Sequence, residues 1–266
     1  MSSYVEEHAS SAGLALSYHL TPWDRPIFQG NTGAISDFSL RVPELAEPTY
    51  DLFRDWCTAN HTLLITCHLR QDQLAECAFL EARGFRFIEL NYRPTLVGLK
   101  PLDFDPDIVI LPATNADEDA LYDIAAQSFE TGRFHVDPQI DPVIGQRRYA
   151  AWTANAFRNP SQDILACWFE GRLAAYMIDS ALSPTQRVWS LCAVAPDLKG
   201  RGFGVRFMRN VLAYQTREGT KDIFTSVSSL NLPIQNVLRS LGFRFPAPTI
   251  TLHWCPFGPI AAPPVS

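Results

Sequence analysis

The chain has 266 residues, 47% of them hydrophobic and 19% charged, with a formal net charge of −6. That length holds one large domain or two small ones with real cores. The acidic balance, with no massed basic stretch, excludes nucleic-acid binding by counterion release. No apolar run approaches the roughly 18–20 residues of a membrane span, and the N-terminus, with Glu6 and Glu7 and no apolar segment, is no secretory signal. The expectation is a soluble, cytoplasmic globular protein.

In chain order, Leu63 to Cys67 reads as a strand, and Phe79 to Phe87 (FLEARGFRF) as a helix end, a glycine stop and a new strand. The same pattern returns 158 residues later as Val237 to Phe245 (VLRSLGFRF), which points to an internal duplication. Between the copies, the Pro-punctuated stretch Lys100 to Pro112 divides the chain. A strand at Ile108 to Leu111 follows, then a helix capped by Thr114 or Asn115 with an acidic first turn. A second helix is expected from Pro142 to Phe157. Strands at Ile164 to Phe169 and Leu173 to Ser180 meet at a Glu170-Gly171 hairpin. Then come a strand (Val188 to Val194), a glycine-rich turn, a helix (Phe203 to Glu218), a strand (Asp222 to Ser228) and a helix (Leu232 to Leu241). The end reads as strand from Phe243 to Trp254, with Pro246 and Pro248 marking an edge or a bulge, before a loose Pro-rich tail.

Six cysteines (57, 67, 77, 167, 192, 255) form no C-x-x-C and read as buried free thiols. Cys57, His61, Cys67 and His68 invite a zinc site. Adjacent strand residues face opposite ways, however, so core packing is the better reading and no metal is expected.

The chemistry lies in Val194-Ala195-Pro196-Asp197-Leu198-Lys199-Gly200-Arg201-Gly202-Phe203-Gly204. A strand runs into a turn, and alternating glycines open a helix. Glycines let a ligand approach the backbone, and the helix N-terminus offers amide donors to an anion. Lys199 and Arg201 add positive charge, so the segment reads as a phosphate or pyrophosphate cradle. It is neither a Walker loop nor a G-x-G-x-x-G dinucleotide fingerprint.

This segment resembles the acetyl-CoA loop of the GNAT superfamily of N-acyltransferases, and the order of elements around it, through Asn231 and Gly242-Phe243, follows the family over about residues 108 to 255. The resemblance implies an α/β (α+β) GNAT fold, a mixed central sheet flanked by helices. It implies a truncated GNAT-like half without the loop at residues 1–104 and a complete acetyltransferase domain at 105–266. The first half is expected to bind no CoA and to serve as scaffold or acceptor wall. The strand before the loop and the strand after the next helix should splay, with the pantetheine arm on the open edge. Cys192, Ala193, Val194, Lys199, Gly200, Arg201, Gly202, Phe203, Gly204 and Asn231 become the acetyl-CoA-binding residues. Backbone N–H groups near Ala193-Val194 would polarise the thioester carbonyl. Asn231 also has a simpler role as a helix cap. A narrower resemblance, to TDP-fucosamine N-acetyltransferases, rests on Trp23-Asp24, Phe28 and Gly132-Arg133-Phe134-His135-x-Asp137.

The implied reaction is direct attack of a neutral amine on the thioester. The segment between the first two helices of the complete domain supplies His135 and Glu130 as catalytic candidates, His135 titrating nearest neutral pH. Arg133, Asp137, Arg147, Arg148 and Tyr149 are the substrate-binding candidates, the arginines for a nucleotide-sugar pyrophosphate. The family's Tyr acid is replaced by Leu238, and neither Tyr214 nor Ser240 is assigned in its place. A thiol of pKa near 8.5 is a tolerable leaving group, so turnover does not require the acid. The favoured acceptor is a nucleotide-linked amino sugar. An amino acid, polyamine or antibiotic-like amine is the alternative, and a non-catalytic acyl-CoA sensor is a third reading. Exposed C-terminal edge strands make a homodimer an option.

Overall fold

The computed structural model describes residues 5–262. In chain order the strands are β1 (Glu7–Ser10), β2 (Leu14–Leu20), β3 (Asn31–Leu40), β4 (Thr62–Arg70), β5 (Arg86–Tyr92), β6 (Thr95–Val97), β7 (Ile108–Pro112), β8 (Asp163–Phe169), β9 (Arg172–Ser183), β10 (Gln186–Val194), β11 (Asp222–Thr225), β12 (Val227–Ser228) and β13 (Thr249–Trp254). The helices are α1 (Arg25–Phe28), α2 (Glu47–Ala59), α3 (Leu74–Glu81), α4 (Glu118–Ala126), α5 (Arg133–Val136), α6 (Pro142–Ala156), α7 (Phe203–Arg217) and α8 (Leu232–Ser240). Thr114 caps the turn into α4 with a reciprocal Thr114–Asp117 box, as the sequence predicts. Glu170 and Gly171, at φ 51° and 74°, make the tight β8–β9 hairpin turn.

The described residues form two compact units, 5–91 with 133–144 and 247–262, and 92–132 with 145–246. The expected border between residues 104 and 105 is therefore replaced by an exchange of segments. β6 belongs to the second unit although it precedes the Pro-punctuated divider, and β13, from the end of the chain, belongs to the first.

The first unit's sheet runs β1-β2-β3-β4-β13-β5, antiparallel except for the parallel β3–β4 pair, which α2 connects. Alternation gives it two unlike faces. One packs Leu16, Ile35, Ile65, Leu69 and Leu252 against Tyr50 and Phe53 of α2 and Phe79 and Leu80 of α3. The other mixes polar side chains with Leu64, which packs in a smaller apolar cluster with Phe28 and Phe134. Cys67 lies in the apolar cluster and His68 on the opposite face.

The second unit's sheet runs β6-β11-β10-β9-β8-β7, again antiparallel except for one parallel pair, β10–β11, joined through α7. Its core gathers Leu121 and Ile124 of α4, Tyr176 and Ile178 of β9, and Phe207 and Val211 of α7. Each unit thus holds a parallel pair whose second strand is flanked by a strand from elsewhere in the chain.

The nine-residue repeat is a helix stop built twice. Gly84 and Gly242 are left-handed at φ 92° and 87°. In each copy the following phenylalanine N–H donates back into the last helical turn, Phe85 to Leu80 O (3.1 Å) and Phe243 to Leu238 O (3.0 Å). The copies then diverge. After Phe85 the chain enters β5. After Phe243 only Arg244 bridges, to Thr95, and Pro246 and Pro248, which lack the donor a ladder needs, delay the strand to Thr249.

Other expectations change as well. The predicted strand from Asp222 to Ser228 is interrupted at Ser226. The segment 133–136 is a short helix rather than loop. β13 is interior, paired on both sides with a register shift at Thr251/Leu252, so it is no exposed edge and gives the homodimer no support. Phe243 packs on Trp189 (5.5 Å) and Trp254 on Phe85 (5.5 Å), both as core. The tail is fastened as far as Ala262, whose N–H reaches Asp141 (3.3 Å), and Ile260 bridges Ile140. Residues 263–266 lie outside the described residues. The six cysteines are free thiols. No helix among the described residues is long and apolar enough to cross a membrane.

Candidate active site

β10 pairs with β9 along its length but with β11 only from Gln186 to Trp189. Past that point β10 is irregular, with a register shift between Trp189 and Leu191, and β11 ends at Thr225, whose hydroxyl donates to Trp189 O (3.0 Å). Such an irregularity bends a strand away from its partner. Residues 190–194 therefore present an edge that β11 does not pair. Ala195 spends its N–H on Ala174 O of β9 (2.8 Å). Strand alternation turns Ala193 the same way and gives the open edge the N–H groups of Cys192 and Val194. Of the strand residues expected to polarise a carbonyl, Ala193 is thus the one turned away. The Val194 carbonyl accepts the Ser128 hydroxyl (3.2 Å).

The edge leads through a 3-10 turn, Pro196–Leu198, into the glycine loop. Gly200 (φ 73°) and Gly202 (φ 77°) are left-handed, a conformation that resists any side chain. Gly202 caps α7 without a side chain to offer its first amides. Gly204 has an ordinary φ, and a Cβ added there would meet no atom within 4 Å, so nothing in the protein itself requires glycine at that place. An uncapped, positive helix start with bare backbone around it suits a pyrophosphate. These residues therefore fit acetyl-CoA.

The flanking side chains divide. Arg201 is exposed on the loop. Lys199 is not in the cradle: its Nζ reaches Gln127 O (3.2 Å) and Ser128 O (3.1 Å), the carbonyl end of α4, where a cation is favourable. Phe203 is buried against Phe169 (5.1 Å), so only its backbone is on offer. Asn231 Oδ1 accepts the Ile234 N–H (3.2 Å) as the α8 cap, the simpler of its two expected roles. An ion pair the sequence did not reveal, Arg172 with Asp197, holds the turn before the loop (Nη1 to Oδ1 3.3 Å). These residues are far apart in sequence and carry no motif.

The acceptor candidates fall in both units. Glu130, Arg147, Arg148 and Tyr149 belong to the second. Tyr149 stacks on Phe129 at 4.3 Å and 17°, and its hydroxyl leaves no room for a side chain at Gly132. Arg147 and Arg148 are half-buried on α6, Arg148 over the Trp152 ring at 5.5 Å, and Glu130 is exposed. Arg133, His135 and Asp137 belong to the first unit. Asp137 leaves the acceptor set. It is buried, with Oδ2 on His253 Nδ1 (2.8 Å) and Oδ1 on the Gln139 N–H (2.9 Å). His135 is half-buried, with both ring nitrogens shielded from solvent.

No thiol here is an activated nucleophile: burial pushes Cys192 and Cys167 up to about 12, so both are neutral near pH 7. Leu238 is a buried core residue. Ser240 donates to Val237 O (2.7 Å) within its own helix. Tyr214, its pKa raised by burial, sits about 16 Å along α7 from Phe203. Neither hydroxyl takes the place of an acid at the loop.

The acetyltransferase (GNAT) family model matches residues 119–243. No curated protein sequence is a detectable relative. Among solved structures, a GCN5-related N-acetyltransferase from Sphaerobacter thermophilus is similar over 95% of this chain and 79% of its own, with TM-score 0.64 and 12% identity. One from Kribbella flavida covers 96% and 90%, with TM-score 0.58 and 15% identity. A tandem GNAT protein from the clavulanic acid biosynthesis pathway covers 100% and 85%, with TM-score 0.59 and 14% identity. At such identities the likeness establishes fold. The family match covers the loop and its strands and identifies residues 119–243 as a segment similar to GNAT acetyltransferases.

Proposed function

We propose that the second unit transfers an acetyl group from acetyl-CoA to a primary amine of a small molecule. The observation that carries this is the unpaired edge of β10 ending at an uncapped, glycine-lined helix start. Acetyl-CoA would supply the activated acyl group. Cys192 and Val194 would hold the pantetheine arm through their backbone, and the first amides of α7 with Gly200, Gly202 and Gly204 would hold the pyrophosphate. N–H groups of the open edge would stabilise charge developing on the carbonyl oxygen. The amine would attack the thioester directly, which the neutral neighbouring thiols favour over a cysteine-bound intermediate.

The acceptor we favour is an amino sugar carried on a nucleotide, whose pyrophosphate Arg147 and Arg148 would take by paired contacts. An amino acid, polyamine or antibiotic-like amine is the alternative. The ammonium proton of the bound amine would pass to Glu130 before the neutral amine attacks. A pH–rate profile that loses its acidic limb in Glu130→Gln identifies the base.

Calorimetric titration of acetyl-CoA, followed by assay of free thiol release with nucleotide-linked amino sugars, tests the reading. Micromolar-range binding with amine-dependent release supports it. Binding without release for any amine would make the unit an acyl-CoA sensor, a reading in keeping with the loss of the family's acid at Leu238. No binding would remove both.

A further inference from the structure

The second face of the first unit's sheet is unusual for a scaffold. Strand alternation and register align His19 of β2, Thr32 of β3, Thr66 and His68 of β4, and Thr251 and His253 of β13 on one side. All of these but His68 are at most 7% exposed. An apolar face would stabilise a mere scaffold better, because buried polar groups return little unless they are used.

A pocket of about 170 Å³ opens on this face, walled by Trp23 and Phe134 and bordered by Arg133, Asp24, His68 and Thr66. Thr21 and Thr32 satisfy each other across it (Oγ1 to Oγ1 2.5 Å). Thr66 is different: 7% exposed and lining the pocket, its hydroxyl makes no hydrogen bond among the described residues. Arg133 is held in place by its neighbours. Its Nη1 donates to His68 Nε2 (3.4 Å), its guanidinium lies 4.7 Å from the Phe134 ring centre, and His68 Nδ1 is in turn bonded to Thr251 Oγ1 (3.1 Å). That acceptor role of Nε2 sets the Nδ1–H tautomer. The pocket therefore holds one oriented guanidinium, one carboxylate and, facing its opening, the Thr66 hydroxyl, which makes no hydrogen bond among the described residues.

We infer that this pocket binds a small amino- or hydroxy-carboxylic acid, with its carboxylate on Arg133 and Thr66 and its hydrogen-bond-donating group on Asp24. The planar fork of Arg133 matches a carboxylate. The volume sets the size, since a cavity of about 150 Å³ accommodates a benzene ring, which limits the ligand to roughly six to eight non-hydrogen atoms. The site is complete within the first unit and does not rest on acetyl transfer by the second.

Calorimetry of the full-length protein with L-serine and with glycerate, beside ethanolamine and inorganic phosphate, tests this. One saturable site for serine or glycerate is expected, with ethanolamine and phosphate inert. Arg133→Gln should weaken binding at least about tenfold. Thr66→Val, which keeps the side chain's shape and removes only the unpartnered hydroxyl, should weaken it about fivefold in a protein with unchanged near-UV circular dichroism. Three results would each overturn the assignment: no binding of either acid at about 10 mM, affinity unchanged in both variants, or phosphate or ethanolamine binding as well as the acids.

Discussion

The two units differ most informatively at the same place, the exit from the first strand of the parallel pair. In the second, β10 leaves through Pro196–Leu198, and Lys199, Gly200, Arg201 and Gly202 intervene before α7. In the first, β3 leaves through an equivalent 3-10 turn, Pro43–Leu45, and Ala46 alone intervenes before α2. The shorter passage leaves no loop to wrap an anion. Glu47 stands in the first turn of α2 and pairs with Arg83, so a carboxylate of the protein already serves the positive helix end. Gly13 lies so close to the Leu45 carbonyl group that no side chain would fit, which closes the turn from outside. Beyond the part of β3 that pairs with β4, the Phe38 carbonyl is occupied by the Gln73 amide (3.1 Å). A topology shared by two sheets thus becomes an anion site in one and a sealed turn in the other, through three residues of loop and a few side chains.

The largest effect should come from filling the open cradle. Gly204→Val places a branch where the protein has only space, so acetyl-CoA affinity should fall about a hundredfold while the melting temperature holds. Gly202→Val is the poorer probe, because φ 77° strains any side chain and would disturb the loop itself. The same titration should give one acetyl-CoA per chain. Two would break the comparison by showing a second acetyl-CoA site outside the glycine loop.

The repeated helix stop allows a smaller, matched test. Alanine at either glycine must adopt a left-handed backbone, at a cost of about 1 kcal/mol. At Gly84 the new Cβ would also press on the Trp254 ring at 3.3 Å, whereas at Gly242 it would touch Leu96 at an ordinary 3.8 Å. Chemical denaturation should therefore rank Gly84→Ala, at about 2 kcal/mol, as more damaging than Gly242→Ala.

The smallest effect concerns acid. All six histidines of the chain belong to the first unit. Burial holds His19 and His253 below the ordinary histidine value, the bond from Asp137 only partly opposing it at His253. The unfolded chain takes up these protons near pH 6.5 and the folded unit resists them until lower pH. Stability is therefore full above about pH 6.5 and falls as pH drops below it. Hydrogen exchange between pH 7 and 5 should show the first unit loosening before the second. The reverse order would contradict the assignment of the acid-sensitive groups.

The sequence alone determined what is local. The helix caps, the Glu170-Gly171 turn, the two glycine stops and the alternating glycines before α7 follow from backbone preferences that a few adjacent residues express. The loop's likeness to an acetyl-CoA site was legible for the same reason. The tertiary structure decided whatever depends on residues distant in the chain. It sent Lys199 to the end of α4 rather than to the cradle and buried Asp137 against His253. It also moved the last strand into the interior of the other unit's sheet. Strand alternation fixes which face a residue takes, but neither periodicity nor spacing records which strand will lie beside it.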